Sequence, residues 1–150
     1  MAENLNYETS NSSCYNLQKT NCDLYGRLYT WDAAVNACPT GWHLPTDDEW
    51  KNLEMELELT PSEANLTGYR GDYLKDLLLP KGGSGFNLLW AGTWSNSYIN
   101  LGSQAYFWTQ TLSGTKAWHR GLSVDQRGIN RQDRIATNGY SIRCVQNAVK

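Results

Sequence analysis

The side chains of this chain that could do chemistry sit in few places. There are two histidines and four cysteines. His43 lies in the run Cys38-Pro39-Thr40-Gly41-Trp42-His43-Leu44-Pro45-Thr46-Asp47-Asp48-Glu49-Trp50. Its imidazole could serve as a base, but a base must reach the proton it removes. No serine or cysteine nucleophile is tied to His43 by spacing, so the residue reads as structural. Asp47, Asp48 and Glu49 could form an acid pair or a metal site. They also stand where a helix should begin, and carboxylates there offset the macrodipole. That second role is the expectation.

Four cysteines allow three pairings. Cys14 and Cys22 flank a short polar loop. Cys38 ends an expected helix, and Cys144 sits mid-way along an expected last strand. The favoured pattern is therefore Cys14–Cys22 with Cys38–Cys144. Zinc is the rival, but no Cys-x-x-Cys is present and His43 and His119 are not spaced as ligands. Two bridges would imply an oxidising compartment: secreted, periplasmic or cell-surface.

The elements that must hold these residues are legible in outline. Thr46 and Glu49 form a capping box, followed by an apolar stripe at Trp50, Leu53 and Leu57. Helices are expected over about 31–38 and 46–58, with Thr60-Pro61-Ser62 breaking the second. Trp42 should pack between them. One or two helical turns are expected within 72–79. Beyond residue 86, aromatic and β-branched runs alternate with Gly, Asn and Ser turns. Strands are expected near 26–29, 88–94, 104–111, 116–124, 127–131 and 140–146. Helices followed by strands give an α+β domain over 1–150.

Composition narrows the function. A net charge of −2, with 19% charged residues and no basic run, argues against nucleic acid. Arg120, Arg127, Arg131, Arg134 and Arg143 are locally dense and read as a solvated strand face. Seven Trp and nine Tyr against two Phe suit wet binding surfaces as well as cores. Met1–Tyr7 has no signal-peptide character, and no apolar run is long enough to span a membrane. An export signal or lipid anchor would lie on a segment before it. Asn11-Ser12-Ser13 and Asn65-Leu66-Thr67 match the glycosylation sequon.

Dense blocks in order give the chain a likeness. Tyr25-Gly26-Arg27-Leu28-Tyr29-Thr30-Trp31-Asp32-Ala33-Ala34, the Cys38–Pro45 block with Glu49-Trp50, and Gly85-Phe86-Asn87 are three of them. Leu101-Gly102-Ser103 with Tyr106-Phe107-Trp108, then Gly139-Tyr140-Ser141-Ile142-Arg143-Cys144-Val145, complete the set. The sequence resembles the Fibrobacter succinogenes major paralogous domain. It departs from that pattern at Leu89–Trp94 and at Trp108-Thr109-Gln110-Thr111. The resemblance implies a C-type lectin-like fold, distantly similar to formylglycine-generating enzymes. Those enzymes use reactive C-terminal cysteines. Here only Cys144 is available, and a bridged cysteine has no thiolate. No catalysis and no cofactor are expected, and an oxidoreductase of that kind is the remote alternative.

Calcium-dependent sugar binding is also disfavoured. The Glu-Pro-Asn, Gln-Pro-Asp and Trp-Asn-Asp motifs are absent, and Ca²⁺ wants 6–8 oxygen ligands. What remains is a metal-free surface in the second half. Its candidates are Trp94, Tyr98, Tyr106, Trp118, His119, Arg120, Asp125, Arg127, Asn130, Arg131, Asp133 and Arg134; Trp108 is assigned to the core. His119, Arg127, Asn130, Arg131 and Asp133 should form one open patch. The partner expected is a glycan or protein on a cell surface, met by a secreted, periplasmic, surface or phage-borne domain of a longer bacterial protein. The resemblance also implies the variable protein of a diversity-generating retroelement, with 104–143 as the diversified stretch. The alternative is a structural assembly module.

Overall fold

A computed structural model describes residues 1–149 of the chain. The first element is a two-residue strand, β1 (Ser12–Ser13), and a 3-10 turn at Tyr15–Leu17 follows it. Then come α1 (Lys19–Tyr25), β2 (Leu28–Tyr29), α2 (Trp31–Ala34), β3 (Trp42–His43) and α3 (Asp47–Glu56). α4 (Pro61–Ala64), β4 (Gly68–Arg70) and α5 (Leu74–Leu78) complete the first half. The second half is strands: β5 (Ala91–Trp94), β6 (Tyr98–Leu101), β7 (Gln104–Ser113), β8 (Lys116–Ser123), β9 (Ile129–Ile135) and β10 (Val145–Gln146). The α+β class is confirmed.

Six strands form one sheet in the order β4-β9-β8-β7-β5-β6. All neighbours are antiparallel except β5 and β7. β3 pairs with β10, and β1 with β2. Among the described residues no helix is long and apolar enough to cross a membrane.

Local chemistry explains the helix starts. Thr46 accepts from the Glu49 amide, and the Glu49 carboxylate accepts from the Thr46 amide, so the capping box is closed in both directions. The Thr60-Pro61-Ser62 stop is also a start. Thr60 and Glu63 form a second capping box with Pro61 in the first turn, where its missing N–H has no role to lose.

Several expected elements change shape. The helix placed over 31–38 is helical only at Trp31–Ala34. The last strand is reduced to Val145–Gln146, and Tyr140 and Ser141 reach β2 and β7 by isolated bridges. Trp42 is half-buried on β3, paired with Gln146, rather than sandwiched between helices. The core position next to it is Leu44, which is buried.

Two apolar clusters lie on opposite sides of the sheet. Trp50, Leu59, Leu74, Leu78, Phe107, Leu122 and Ile129 pack under α3 and α5. Tyr29, Ala34, Leu44, Trp108, Tyr140 and Ile142 pack on the other side. Trp108 is fully buried, and its indole N–H donates to the Tyr29 carbonyl at 2.8 Å. The bridges are Cys14–Cys22 and Cys38–Cys144, as the favoured pairing had them. The second spans 106 positions. In the chain-entropy account a loop of that size is worth about 4–5 kcal/mol.

Candidate functional site

Strand alternation divides β7, β8 and β9 into two faces. Residues directly opposite across a ladder share a face. On the face toward α3, Phe107 is opposite Arg120, and Arg120 is opposite Arg131. The other face carries a row that crosses four strands. Tyr69 is opposite Asn130, Asn130 opposite Gly121, and Gly121 opposite Tyr106. The next row is Trp108, His119 and Gln132. Arg134 follows, opposite Ala117.

The α3 side is a buried ion network. Arg70 donates two hydrogen bonds to Glu54, at 2.8 and 3.0 Å. Arg120 bridges Glu54 and Asp47, reaching the latter at 2.7 Å. Arg131 donates to Asp47 at 2.7 Å and lies 3.9 Å from the Trp118 ring centre. Lys51 adds a further contact to Asp47 at 3.2 Å. Burial would push the Asp47 carboxyl up. The hydrogen bonds of Arg131 and the charge of Arg120 outweigh that and hold it well below the usual carboxylate range.

The opposite face is different in kind. Tyr106 lies over Gly121, where an added Cβ would meet its ring at 3.4 Å. It stacks on Tyr140 at 4.9 Å, with the rings 17° apart. Its hydroxyl donates to the Gln104 side-chain carbonyl, which also accepts from Asn100 at 2.8 Å. Tyr69 is 43% exposed, Arg134 is exposed, and Asn100, Gln104, Tyr106, Asn130 and Gln132 are half-buried. Beneath them His119 is sealed by Tyr140, Tyr106 and Trp108, at ring distances of 5.2, 5.8 and 6.4 Å. Burial, then the charge of Arg134, lowers its pKa to about 3, so it is a neutral imidazole at physiological pH. Burial raises the phenols too, Tyr140 to about 12. Among the described residues of these rows, Arg134 is the one formal cation at neutral pH, and the others are aromatic rings and amides. Such a surface can stack and exchange hydrogen bonds.

The residues singled out from sequence do not form one patch. Tyr106, Asn130 and Arg134 share the open face. The exposure expected of His119 and Arg131 is overturned, and the solvated arginine face is overturned at Arg120 and Arg143 as well. All four side chains are buried. Arg131 and Asp133 fall on the α3 side because they alternate with Asn130, Gln132 and Arg134. Asp133 instead accepts from Ser113 at 2.9 Å and pairs with Lys116. Trp118 sits under Arg131. Asp125 and Arg127 are exposed in the β8–β9 turn. Trp94 is half-buried, its backbone bonded to Gly139. Tyr98 packs on Tyr15 at 5.3 Å, on the edge strand β6. Tyr69, Asn100, Gln104 and Gln132 were not singled out. Gln132 was within reach of the period-two pattern, whereas nothing local marks Tyr69 as a neighbour of Asn130.

His43 faces acceptors on both ring nitrogens. Nδ1 is 2.6 Å from Asn147 Oδ1, and Nε2 is 2.8 Å from Glu49. Only the imidazolium donates to both, and its pKa is raised, first by Asn147 and then, against burial, by Glu49. Glu49 also closes the capping box of α3 with Thr46, so His43 ties β3 to the helix start. Among the described residues, no cluster of His, Cys, Asp and Glu is placed to hold a metal ion.

The model of the Fibrobacter succinogenes major domain matches residues 1–146. The chain belongs to this family. The comparisons found no matching curated protein and no matching solved structure. The family match covers both disulfides, the α3 ion network and the open row of this major domain.

Proposed function

We propose that this domain is a non-catalytic binder. Its ligand, a glycan or a protein, is met by the open face of the six-stranded sheet. The observation that carries the reading is the row Tyr69–Asn130–Gly121–Tyr106, flanked by Gln104, Gln132 and Arg134. Rigid aromatics with adaptable amides are the composition of binding surfaces that work at low entropic cost. The row stands on strands locked from behind by salt bridges, so its side chains are presented without backbone rearrangement. Two disulfides and the family match support export from a bacterium, to the surface, the periplasm or a phage particle, as part of a longer protein. The early helices, late antiparallel sheet and Cys38–Cys144 bridge support a C-type lectin-like arrangement.

The test uses the folded domain on a glycan array and in pull-downs from a source community. A variant combining Tyr69→Ser, Asn130→Ala, Gln132→Ala and Arg134→Ala should lose the ligand captured by the wild type while keeping its melting temperature. Retained binding by this variant would move the site elsewhere. A wild type that captures neither glycan nor protein would favour the assembly module.

A second reading adds diversification by a retroelement. Asn130, Gln132 and Arg134 lie within 104–143 and point away from the ion network, so replacing them leaves both cores intact, whereas Tyr106 in the same stretch packs on Tyr140 and His119. Sibling copies from one genome should then differ at these three outer positions and agree at Arg120 and Arg131. Siblings that differ as often at Arg120 as at Gln132 would rule this out.

A further inference from the structure

The two disulfides have different surroundings. Cys14 and Cys22 close a short loop at the wall of an open cleft of 670 Å³, which both cysteines line together with Lys19, Glu8 and Arg27. Arg27 is mostly buried, its side chain 12% exposed. Its Nε donates to Ser12 at 3.0 Å, and Nη2 is 3.3 Å from the exposed carboxylate of Glu8. Nη1 is directed at the bridge itself, 3.6 Å from the sulfur of Cys14 and 3.7 Å from that of Cys22. The other nearby charges, Lys19 and Asp23, pair with each other at 2.8 Å. Among the described residues, no charged side chain is seen to donate to the sulfurs of Cys38 and Cys144.

We infer that Cys14–Cys22 is a thiol–disulfide exchange site whose co-substrate is a small thiol or dithiol. Cys14 is half-buried and Cys22 buried, so an incoming thiolate meets the Cys14 sulfur first. A new bond forms between that thiolate and the Cys14 sulfur. The Cys14–Cys22 bond breaks, and its electron pair leaves on the Cys22 sulfur as a thiolate beside the Arg27 guanidinium. A cation at that position lowers the pKa of the leaving thiol, and a lower-pKa thiol leaves faster. With a dithiol, its second thiolate attacks the mixed disulfide. Cys14 thiolate is then released, and the dithiol departs as a cyclic disulfide. Two electrons pass to the protein, and the two protein thiolates take protons from solvent according to their pKa values.

The fold survives the opening. Tyr15, inside the loop, is held independently of the bridge. Its ring fills the space beside Gly92, where an added Cβ would come within 2.8 Å of it. Its carbonyl accepts from Asn21 at 2.9 Å. By contrast, Cys38–Cys144 ties elements 106 positions apart, and Cys144 is fully buried. Opening that bridge restores much more chain freedom to the unfolded state.

The experiment incubates the folded protein with dithiothreitol, without denaturant. Free thiols are trapped with one alkylating reagent, remaining ones are labelled with a second after unfolding, and peptides are mapped by mass. Cys14 and Cys22 should be trapped about tenfold faster than Cys38 and Cys144. Glutathione in place of dithiothreitol should leave its adduct on Cys14. Arg27→Met should slow the opening by about 3- to 10-fold, with Arg27→Lys in between. Equal opening rates of the two bridges in the wild type, or the glutathione adduct on Cys22, would overturn the assignment. So would a wild-type rate in Arg27→Met. The two wild-type measurements decide the matter even where a variant fails to fold.

Discussion

The two faces of the central sheet are built from the same strands with opposite results. β8 and β9 send Arg120 and Arg131 toward α3 and His119, Asn130, Gln132 and Arg134 the other way. On the α3 side, polar groups are buried in matched pairs around Asp47 and Glu54. On the far side, burial falls from Trp108 and His119 at the centre to Tyr69 and Arg134 at the rim. A buried charge must keep its partners, so the first face tolerates little change. A rim side chain has no such obligation, which leaves the second face free to meet a ligand.

The largest effect should come from breaking the matched face. Asp47→Ala leaves Arg120 and Arg131 buried without their shared carboxylate. Removing one partner of a buried ion network typically costs about 3–5 kcal/mol. Chemical denaturation of this variant against wild type checks the figure. A loss under about 1 kcal/mol would mean that water enters the network and the contrast between faces is shallow.

Acid should act on both faces, with the sign set by each group. The folded-state pKa of Asp47 is depressed. Its contribution is therefore present above the unfolded value of about 3.9 and is lost as pH falls through the folded one. His119 is also depressed, to about 3. An unfolded histidine binds its proton near 6.5, so stability should fall steadily as pH drops from about 6.5 toward 3. Neither ring nitrogen of His119 makes a well-formed hydrogen bond among the described residues, and the nearby Gln132 backbone offsets only part of the burial effect. His119→Leu should thus flatten the decline between about pH 6.5 and 4 without lowering stability at pH 7. An unchanged slope in His119→Leu would show that the imidazole is hydrated.

His43 gives the opposite and smaller dependence. Its raised pKa means that its contribution is complete below about 6.5 and is lost as pH rises through the folded value. His43→Gln should remove a shallow decline in melting temperature that begins as pH rises above about 6.5. Trp42→Ala is expected to cost less than the ~3–5 kcal/mol of a fully buried Trp, since Trp42 is half-buried on β3.

The smallest stability effects belong to the open row. Gln132→Ala and Arg134→Ala should each stay within about 0.5 kcal/mol of wild type. They sharpen the comparison when set beside Arg131→Ala, one position away on the same strand and expected to behave like Asp47→Ala. Similar losses at 131 and 132 would erase the distinction between the faces.

Much of the frame could be read in advance. Thr46 with Glu49 announces the start of α3, because a capping box is satisfied within four residues. Of three pairings the sequence favoured Cys14–Cys22 with Cys38–Cys144, and that pairing holds. It holds although α2 ends at Ala34 and the last strand begins at Val145, so neither Cys38 nor Cys144 lies in the element expected to carry it. The strand-rich second half showed in its turn residues. The misread arginines share one cause. Arg120 and Arg131 look solvated one at a time, and only partners far along the chain, Asp47 and Glu54, make their burial tolerable. Glu54 stands one helical turn from Trp50 on the buried side of α3, yet a lone glutamate there carries no sign of Arg70 or Arg120.

The sequence by itself determined the α+β class, the Thr46–Glu49 cap and membership in the major-domain family, and it favoured the bridge pattern. These rest on short-range chemistry and on ordered motifs, which a linear chain records directly. Which face of β8 and β9 meets water was decided only by the tertiary structure. Period two assigns alternate residues to opposite faces but cannot say which face α3 will cover. Docking of α3 over Phe107, Arg120 and Leu122 settled that, and Tyr140 closing over His119 set how far the open face extends.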